Sequence, residues 1–246
     1  MEFEGPGIVV GRAVHGEGDF VATLLTPEGL RRGLAKGGAS RRQSGLWEIG
    51  NIVSARWTAR LPEQLGAYSA ELVHPAAALA MQDAQSLAVL RAACQLAAQA
   101  LPEREAVPET FQGLLRLLAG VEIPGLVLPE LCRWELVLLR ELGFGLDFSS
   151  SGGGNDRLAY VSPRTGRAVT LSEAGDWVER LLPLPEFMLG GDEAGLKDCA
   201  AALRLTGHFL ARDVFGVRHR PLPEARQALY EQLSLGLENK DSGDAG

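Results

Sequence analysis

The chain has 246 residues, of which 46% are hydrophobic and 22% charged, and its formal net charge is −7. That profile is one of a soluble globular protein. It excludes a membrane-spanning chain, because no apolar run approaches the roughly 18–20 residues that a span needs, and the opening residues do not resemble a signal peptide. The length allows one large domain or two ordinary ones.

The first third predicts strands. The runs GIVVGRAVH at 7–15, DFVATLLTP at 19–27, LRRGLAKG at 30–37, GNIVSARWTAR at 50–60 and AYSAELVH at 67–74 are short and bounded by turn residues. Gly16 and Gly18 supply a hairpin link between the first two. In the fourth run Val53, Ala55, Trp57 and Ala59 fall on one face, and Ser54, Arg56, Thr58 and Arg60 on the other. Five short strands over residues 1–75 suit a small closed barrel, which hides its strand edges without a large core.

After Pro75 the period changes. Leu87, Leu90, Cys94, Ala97 and Leu101 follow helical spacing. A second helix is predicted over 109–119. A third starts near Pro129, with Leu131, Trp134, Leu138 and Leu142 on one side. SSSGGGN at 149–155 reads as a flexible break, and LAYVSPRTGRAVTL at 158–171 as a β-hairpin turned by Pro163 and Gly166. Helices are predicted again at 172–182, at 196–214, and from Pro223 to about Leu233, before a polar tail at 236–246 that reads as disordered. The expected fold class is α+β: a barrel over 1–75, then an α-helical domain over 76–235 with one small inserted hairpin.

Charge is unevenly spread. Residues 1–75 carry 8 Lys/Arg and 8 Asp/Glu, whereas the remainder carries 16 and 23. Within the first part, RRGLAKGGASRRQ at 31–43 holds five basic residues, three glycines and no acid. Glycine lets backbone N–H groups approach phosphates, and arginine forks match phosphate oxygens. Arg31, Arg32, Lys36, Arg41 and Arg42 are therefore candidate contacts to a nucleic-acid backbone, with Arg56 and Arg60 extending the face. The competing reading is a solvated turn with incidental arginines. Among the aromatics of this third, Trp47 lies nearest the loop and is the candidate stacking platform.

Elsewhere the signals are weaker. Arg204, Arg212, Arg218 and Arg220 form a candidate second basic patch or a dock for an acidic partner, against the plain reading of a solvated helix face. The glycines at 152–154 lack the Lys-Ser/Thr of a phosphate loop. His15, His74, His208 and His219 stand isolated, and no HExxH, GxSxG or paired-carboxylate motif occurs, so no enzyme and no cofactor is predicted. Cys94, Cys132 and Cys199 lie far apart and read as small buried hydrophobes in a reducing cytoplasm.

Several segments together resemble the RecO family of bacterial recombination mediators in its alphaproteobacterial style. They are GIVVGRAVHGEGD at 7–19, TLLTPEGLRRGLAKGGASRR at 23–42, GNIVSARWTARL at 50–61, LGAYSAEL at 65–72, LAYVSPRTGRAV at 158–169, RLLPLPEF at 180–187 and LRLTGHFLARDVF from 203, followed by RPLPEAR. The resemblance implies an N-terminal OB-fold barrel and a helical C-terminal domain. It also implies binding of single- and double-stranded DNA, strand annealing, and work with RecR to load RecA onto DNA coated by single-strand-binding protein (SSB). The family's basic barrel residues carry over onto Arg31, Arg32, Lys36, Arg41 and Arg42, and more weakly onto Arg12, Arg56 and Arg60. The acidic, hydrophobic-ended tail of SSB docks on the helical domain in this family, and the segment from Arg204 to Arg220 is a candidate for that contact. Some members hold a four-cysteine zinc site at the hairpin; here DFSSSGGGNDRLAYVSP carries no cysteine, so no metal is implied and the hairpin must be held by packing. An RNA-binding barrel protein and a protein-interaction scaffold remain alternative readings.

Overall fold

The structure, a computed structural model, describes residues 1–61, 64–123, 125–149, 156–191 and 194–243, with side chains described as far as Asn239. The chain divides into two compact units, Met1–Val127 and Leu128–Gly246.

In the first unit, β1 (Glu2–His15), β2 (Asp19–Thr26), β3 (Gly29–Ala35), β4 (Ile52–Thr58) and β5 (Gly66–His74) close a barrel in the order β1-β2-β3-β5-β4. All pairs are antiparallel except β3 with β5. β1 is long enough to serve both neighbours: Glu2–Ile8 pairs with β4, and Ile8–His15 with β2, with an irregularity between Val9 and Gly11. Such a bulge bends the strand so that one chain can turn the barrel's corner.

Alternation fixes what points inward. Phe20, Ala22 and Leu24 of β2, Val53, Ala55 and Trp57 of β4, and Phe3 and Tyr68 form the barrel core. Trp57 is wholly buried, and its indole N–H donates to Arg32 O at 2.9 Å. It fits because Gly33 and Gly66, opposite each other in register, face it; a Cβ at Gly66 would overlap the indole. Burying a side chain of this size contributes on the order of 3 kcal/mol.

The barrel is followed by α1 (Ala76–Ala80), α2 (Ala84–Ala100) and α3 (Pro108–Ala119), of which α1 is absent from the sequence prediction. Asp83 caps α2 by accepting from Ser86 N at 2.7 Å, and Val89, Leu90, Cys94 and Ala97 are buried along it. α2 lies against β1 and β2, and α3 against β2.

The second unit is built on α4 (Val127–Glu141), α6 (Leu196–Phe209) and α7 (Glu224–Gly243). The hairpin, β6 (Leu158–Val161) and β7 (Ala168–Thr170), gains a third strand, β8 (Leu182–Pro183), in the order β7-β6-β8. The helix predicted over 172–182 is instead one turn, α5 (Leu171–Ala174), running into a 3₁₀ segment, Gly175–Arg180. Gly175 at φ 44° ends the α-turn. The hairpin tip is held by His208 Nε2, 3.0 Å from Pro163 O, and by Arg212, which donates to the same carbonyl. α6 passes into a π-helical turn, Leu210–Phe215. α7 continues to Gly243, well into the segment the sequence reads as disordered. The predicted break at 149–155 lies, apart from Ser149, outside the described residues. No helix among the described residues is long and apolar enough to cross a membrane.

Candidate nucleic-acid interface

The basic residues of the first unit separate into two groups once partners are assigned. Arg31 sits opposite Leu24, at an inward-facing position of β3, and is 7% exposed. Its guanidinium pairs with Glu28 and lies 5.1 Å from the ring centres of both Phe3 and Trp57. This corrects the sequence expectation: Arg31 is part of the barrel packing and not of its surface. Arg56 faces outward but is bound to Glu2 through Nε at 2.8 Å, which holds its pKa above the ordinary guanidinium value. Arg12 is bound to Glu48 at 2.9 Å, donates to Ser44 O at 3.3 Å and lies over the Phe20 ring.

The second group is Arg32, Lys36, Arg41, Arg42 and Arg60. All five are exposed, and among the described residues none has an ion-pair partner. Arg32 projects from the outer face of β3 beside Thr23, in the row next to Val21, Leu34 and Ala67. Small and apolar side chains there leave the sheet surface open to a chain lying across it. Lys36, Arg41 and Arg42 stand on the connection between β3 and β4, and Arg60 just after β4.

That connection is not loose. Asp19 accepts from Gly37 N at 2.7 Å, and Ala39 N donates to Gly18 O. Buried Asn51 donates to Gly45 O at 2.7 Å and accepts from Ala77 N at 3.1 Å. Arg12 holds Ser44 and Glu48 from the barrel side. Its role is therefore to position the loop that carries Lys36, Arg41 and Arg42. Trp47 is 2% exposed and lies 5.7 Å from Tyr68, so it is no stacking platform. Phe3, Phe20, Trp57 and Tyr68 are buried as well. The surface offers charge and hydrogen-bond donors, without aromatic faces, which is chemistry suited to a sugar–phosphate chain rather than to bases.

In the second predicted segment Arg204, Arg212, Arg218 and Arg220 are all exposed, and their partners differ. Arg212 is bound to both oxygens of Asp213, at 2.7 Å each, and to the hairpin. Arg226, from the same basic stretch, is 1% exposed and is bound to Glu135 at 3.0 Å and to Leu203 O. The sequence reading missed a different feature: Arg133, Leu136, Val137 and Arg140 stand at helical spacing on α4 and, with Phe187 and Met188, line a cavity of about 480 Å³. Apolar residues between two arginines at i, i+3, i+4 and i+7 was the signal available.

A closed five-stranded barrel of this strand order, with a cationic outer face beside β3 and a helical unit after it, defines an OB-fold protein of α+β class. The family model for the N-terminal domain of recombination protein O matches residues 1–76, and that for its C-terminal domain matches 81–223. The chain is 57% identical to the DNA repair protein RecO of Acidiphilium cryptum, covering 98% of this chain and 99% of the relative. It is 51% identical to that of Granulibacter bethesdensis, over 98% of both chains, and 46% identical to that of Gluconacetobacter diazotrophicus, over 95% of both. The chain belongs to the RecO family of DNA repair proteins.

Proposed function

We propose that the protein is a recombination mediator of bacterial DNA repair, working in the cytoplasm at the nucleoid. It binds single- and double-stranded DNA through the phosphate backbone, anneals complementary strands, and with RecR helps to load RecA onto SSB-coated DNA. The observation that carries the reading is the partition of cations: after Arg12, Arg31 and Arg56 are committed to carboxylates, Arg32, Lys36, Arg41, Arg42 and Arg60 stay exposed on β3, on the connection that follows it and just after β4 of an OB barrel. Each phosphate that such a cation meets releases condensed counterions, so affinity is salt-dependent and indifferent to sequence. Strands held only by their backbones keep their bases available for pairing, which is what annealing requires. The net negative charge of the remaining chain opposes wrapping of the strand around the rest of the protein.

The docking site for the acidic, hydrophobic-ended tail of SSB is the α4 cavity rather than the Arg204–Arg220 segment. Leu136 and Val137 accept apolar side chains there, and the Arg133 guanidinium, held by Glu130 at 2.7 Å, lines the same cavity.

The test is a salt titration of single-stranded DNA binding, paired with an annealing assay, on the variant Arg32→Glu, Lys36→Glu, Arg41→Glu, Arg42→Glu. Loss of annealing and a fall of about 3 in the slope of log affinity against log salt are expected. Unchanged affinity and slope would overturn the reading, and a marked preference for RNA over DNA would move the protein to the RNA-binding class.

A further inference from the structure

The segment 171–180, LSEAGDWVER, is folded but almost unburied. It holds a capping box between Thr170 and Glu173, one α-turn and a 3₁₀ segment, yet of its ten residues only Ala174 is buried. Three large apolar side chains face solvent: Leu171 at 52%, Trp177 at 60% and Val178 at 39% exposure. Trp47, Trp57 and Trp134 are each exposed by 2% or less, so Trp177 alone among the four tryptophans stands open. An ordered segment that leaves its largest side chain in water has found no apolar cover among the described residues.

The geometry also says what such a partner must carry. In a 3₁₀ segment residues three apart eclipse one another. Asp176 and Glu179 therefore form one ridge, and Trp177 and Arg180 the next, with the Arg180 guanidinium 5.0 Å from the Trp177 ring centre. Arg180 is occupied by the ring, whereas Asp176 and Glu179 have no ion-pair partner among the described residues. Leu171 opens onto a cavity of about 520 Å³, lined also by Tyr160, Pro183, Pro185, Glu186 and Asp198. Arg157, at the same cavity, is neutralised by Glu186. Residues 171–198 carry seven acids and two bases. An aromatic face beside uncompensated carboxylates repels a nucleic-acid strand and attracts a positively charged chain.

We infer that the Trp177 ridge and the adjoining Leu171 cavity form a docking surface for a basic amphipathic segment of another protein, one with Lys or Arg beside Leu or Phe. The apolar side chains of that segment cover Trp177 and enter the cavity, and its cations meet Asp176 and Glu179. An aromatic anchor with a charged rim is the usual arrangement of such contacts. This surface lies away from the cations assigned to DNA in sequence and carries the opposite charge, so it stands independently of the DNA reading.

Trp177 supplies its own reporter, because acrylamide quenching of the intact protein reads mainly this residue. The probe is a synthetic helical peptide of leucine and lysine, with its leucine–glutamate counterpart as control. The lysine peptide is expected to shift the emission to the blue and to protect it from acrylamide, while the glutamate peptide does neither. The double variant Asp176→Lys, Glu179→Lys should weaken peptide binding by about tenfold. Trp177→Ala should weaken it about tenfold or more, followed by anisotropy of a labelled peptide, and Trp177→Phe, which keeps the aromatic face, should restore most of it. The far-ultraviolet spectrum of each variant checks that the unit is folded. Equal binding by the charge-reversed variant would overturn the inference. So would protection of Trp177 by a single-stranded oligonucleotide, or by raising the concentration of the protein alone.

Discussion

Adjacent residues on a strand point to opposite faces, and Arg31 and Arg32 show how much follows from that single rule. The alternation that puts Phe20, Ala22 and Leu24 inward on β2 sends their partner position Arg31 inward and Arg32 outward. The distinction was legible in the sequence, because two consecutive residues of a barrel strand cannot both face solvent. The ion pairs of Arg12 and Arg56 were not legible, since their carboxylates lie 36 and 54 residues away and are chosen by strand register. The two neighbours should therefore respond oppositely to substitution. Arg31→Ala removes the body of a side chain packed on Phe3 and Trp57 and should cost about 2 kcal/mol or more. It should leave the salt slope of DNA binding unchanged in folded protein. Arg32→Ala should shift stability by no more than about 0.5 kcal/mol, while lowering the slope for single-stranded DNA by roughly 0.7. Urea denaturation and salt titration of the two variants check this, and the reverse pattern would return Arg31 to the interface.

Among the elements, α4 concentrates both what the sequence showed and what it hid. Its apolar stripe of Leu131, Trp134 and Leu138 places one face in the core, as the spacing predicts. Glu135 stands on that face, fully buried, and its carboxylate is met by Arg226 of α7 and Thr206 of α6. A carboxylate in an apolar stripe is a visible anomaly, but its partner is 91 residues away and sits in a stretch that reads as a basic surface. Burial works against the Arg226 charge, and the Glu135 carboxylate outweighs it, so the guanidinium pKa lies above its ordinary value. The desolvation of two ions is offset here only because both partners are present. Arg226→Met alone strands a buried carboxylate and should cost about 3–5 kcal/mol. Glu135→Leu together with Arg226→Met should recover most of that loss, because an apolar pair of similar volume carries no desolvation cost. Denaturant midpoints of the two variants measure the difference. A double variant as unstable as the single one would mean that the three helices depend on the charges themselves. The 3₁₀ segment and β8 were less legible, because LSEAGDWVERL has helix-compatible residues on either side of Gly175, whose positive φ diverts the chain.

At the scale of the whole molecule, a short-strand segment followed by helical periodicity was enough to predict a small closed barrel and a helical unit, and the family resemblance made that barrel an OB fold. Those features arise from local alternation and from the change of period after Pro75. The cavities and surfaces depend on contacts between elements, which periodicity does not encode. Protonation, too, is governed by burial. Complete burial pushes the Cys94 thiol up to about 12. Burial likewise raises Tyr68, against a smaller opposing pull from Arg31. The unfolded chain releases these protons near ordinary thiol and phenol values, whereas the folded chain retains them. The unfolded state thus binds fewer protons there, and stability, complete below the ordinary thiol value, falls as pH rises through it and beyond. On the acid side Asp83, held low by Ser86 N–H and hydroxyl, contributes stability above its unfolded pKa that is lost as pH falls through the depressed folded value. The urea midpoint should therefore be level from about pH 6 to 8 and fall on both sides. Cys94→Ala should shift the whole curve down through lost packing and flatten its alkaline limb, because one retained proton is gone. If the alkaline limb has the same slope with and without Cys94, the buried thiol is not among the groups that set it.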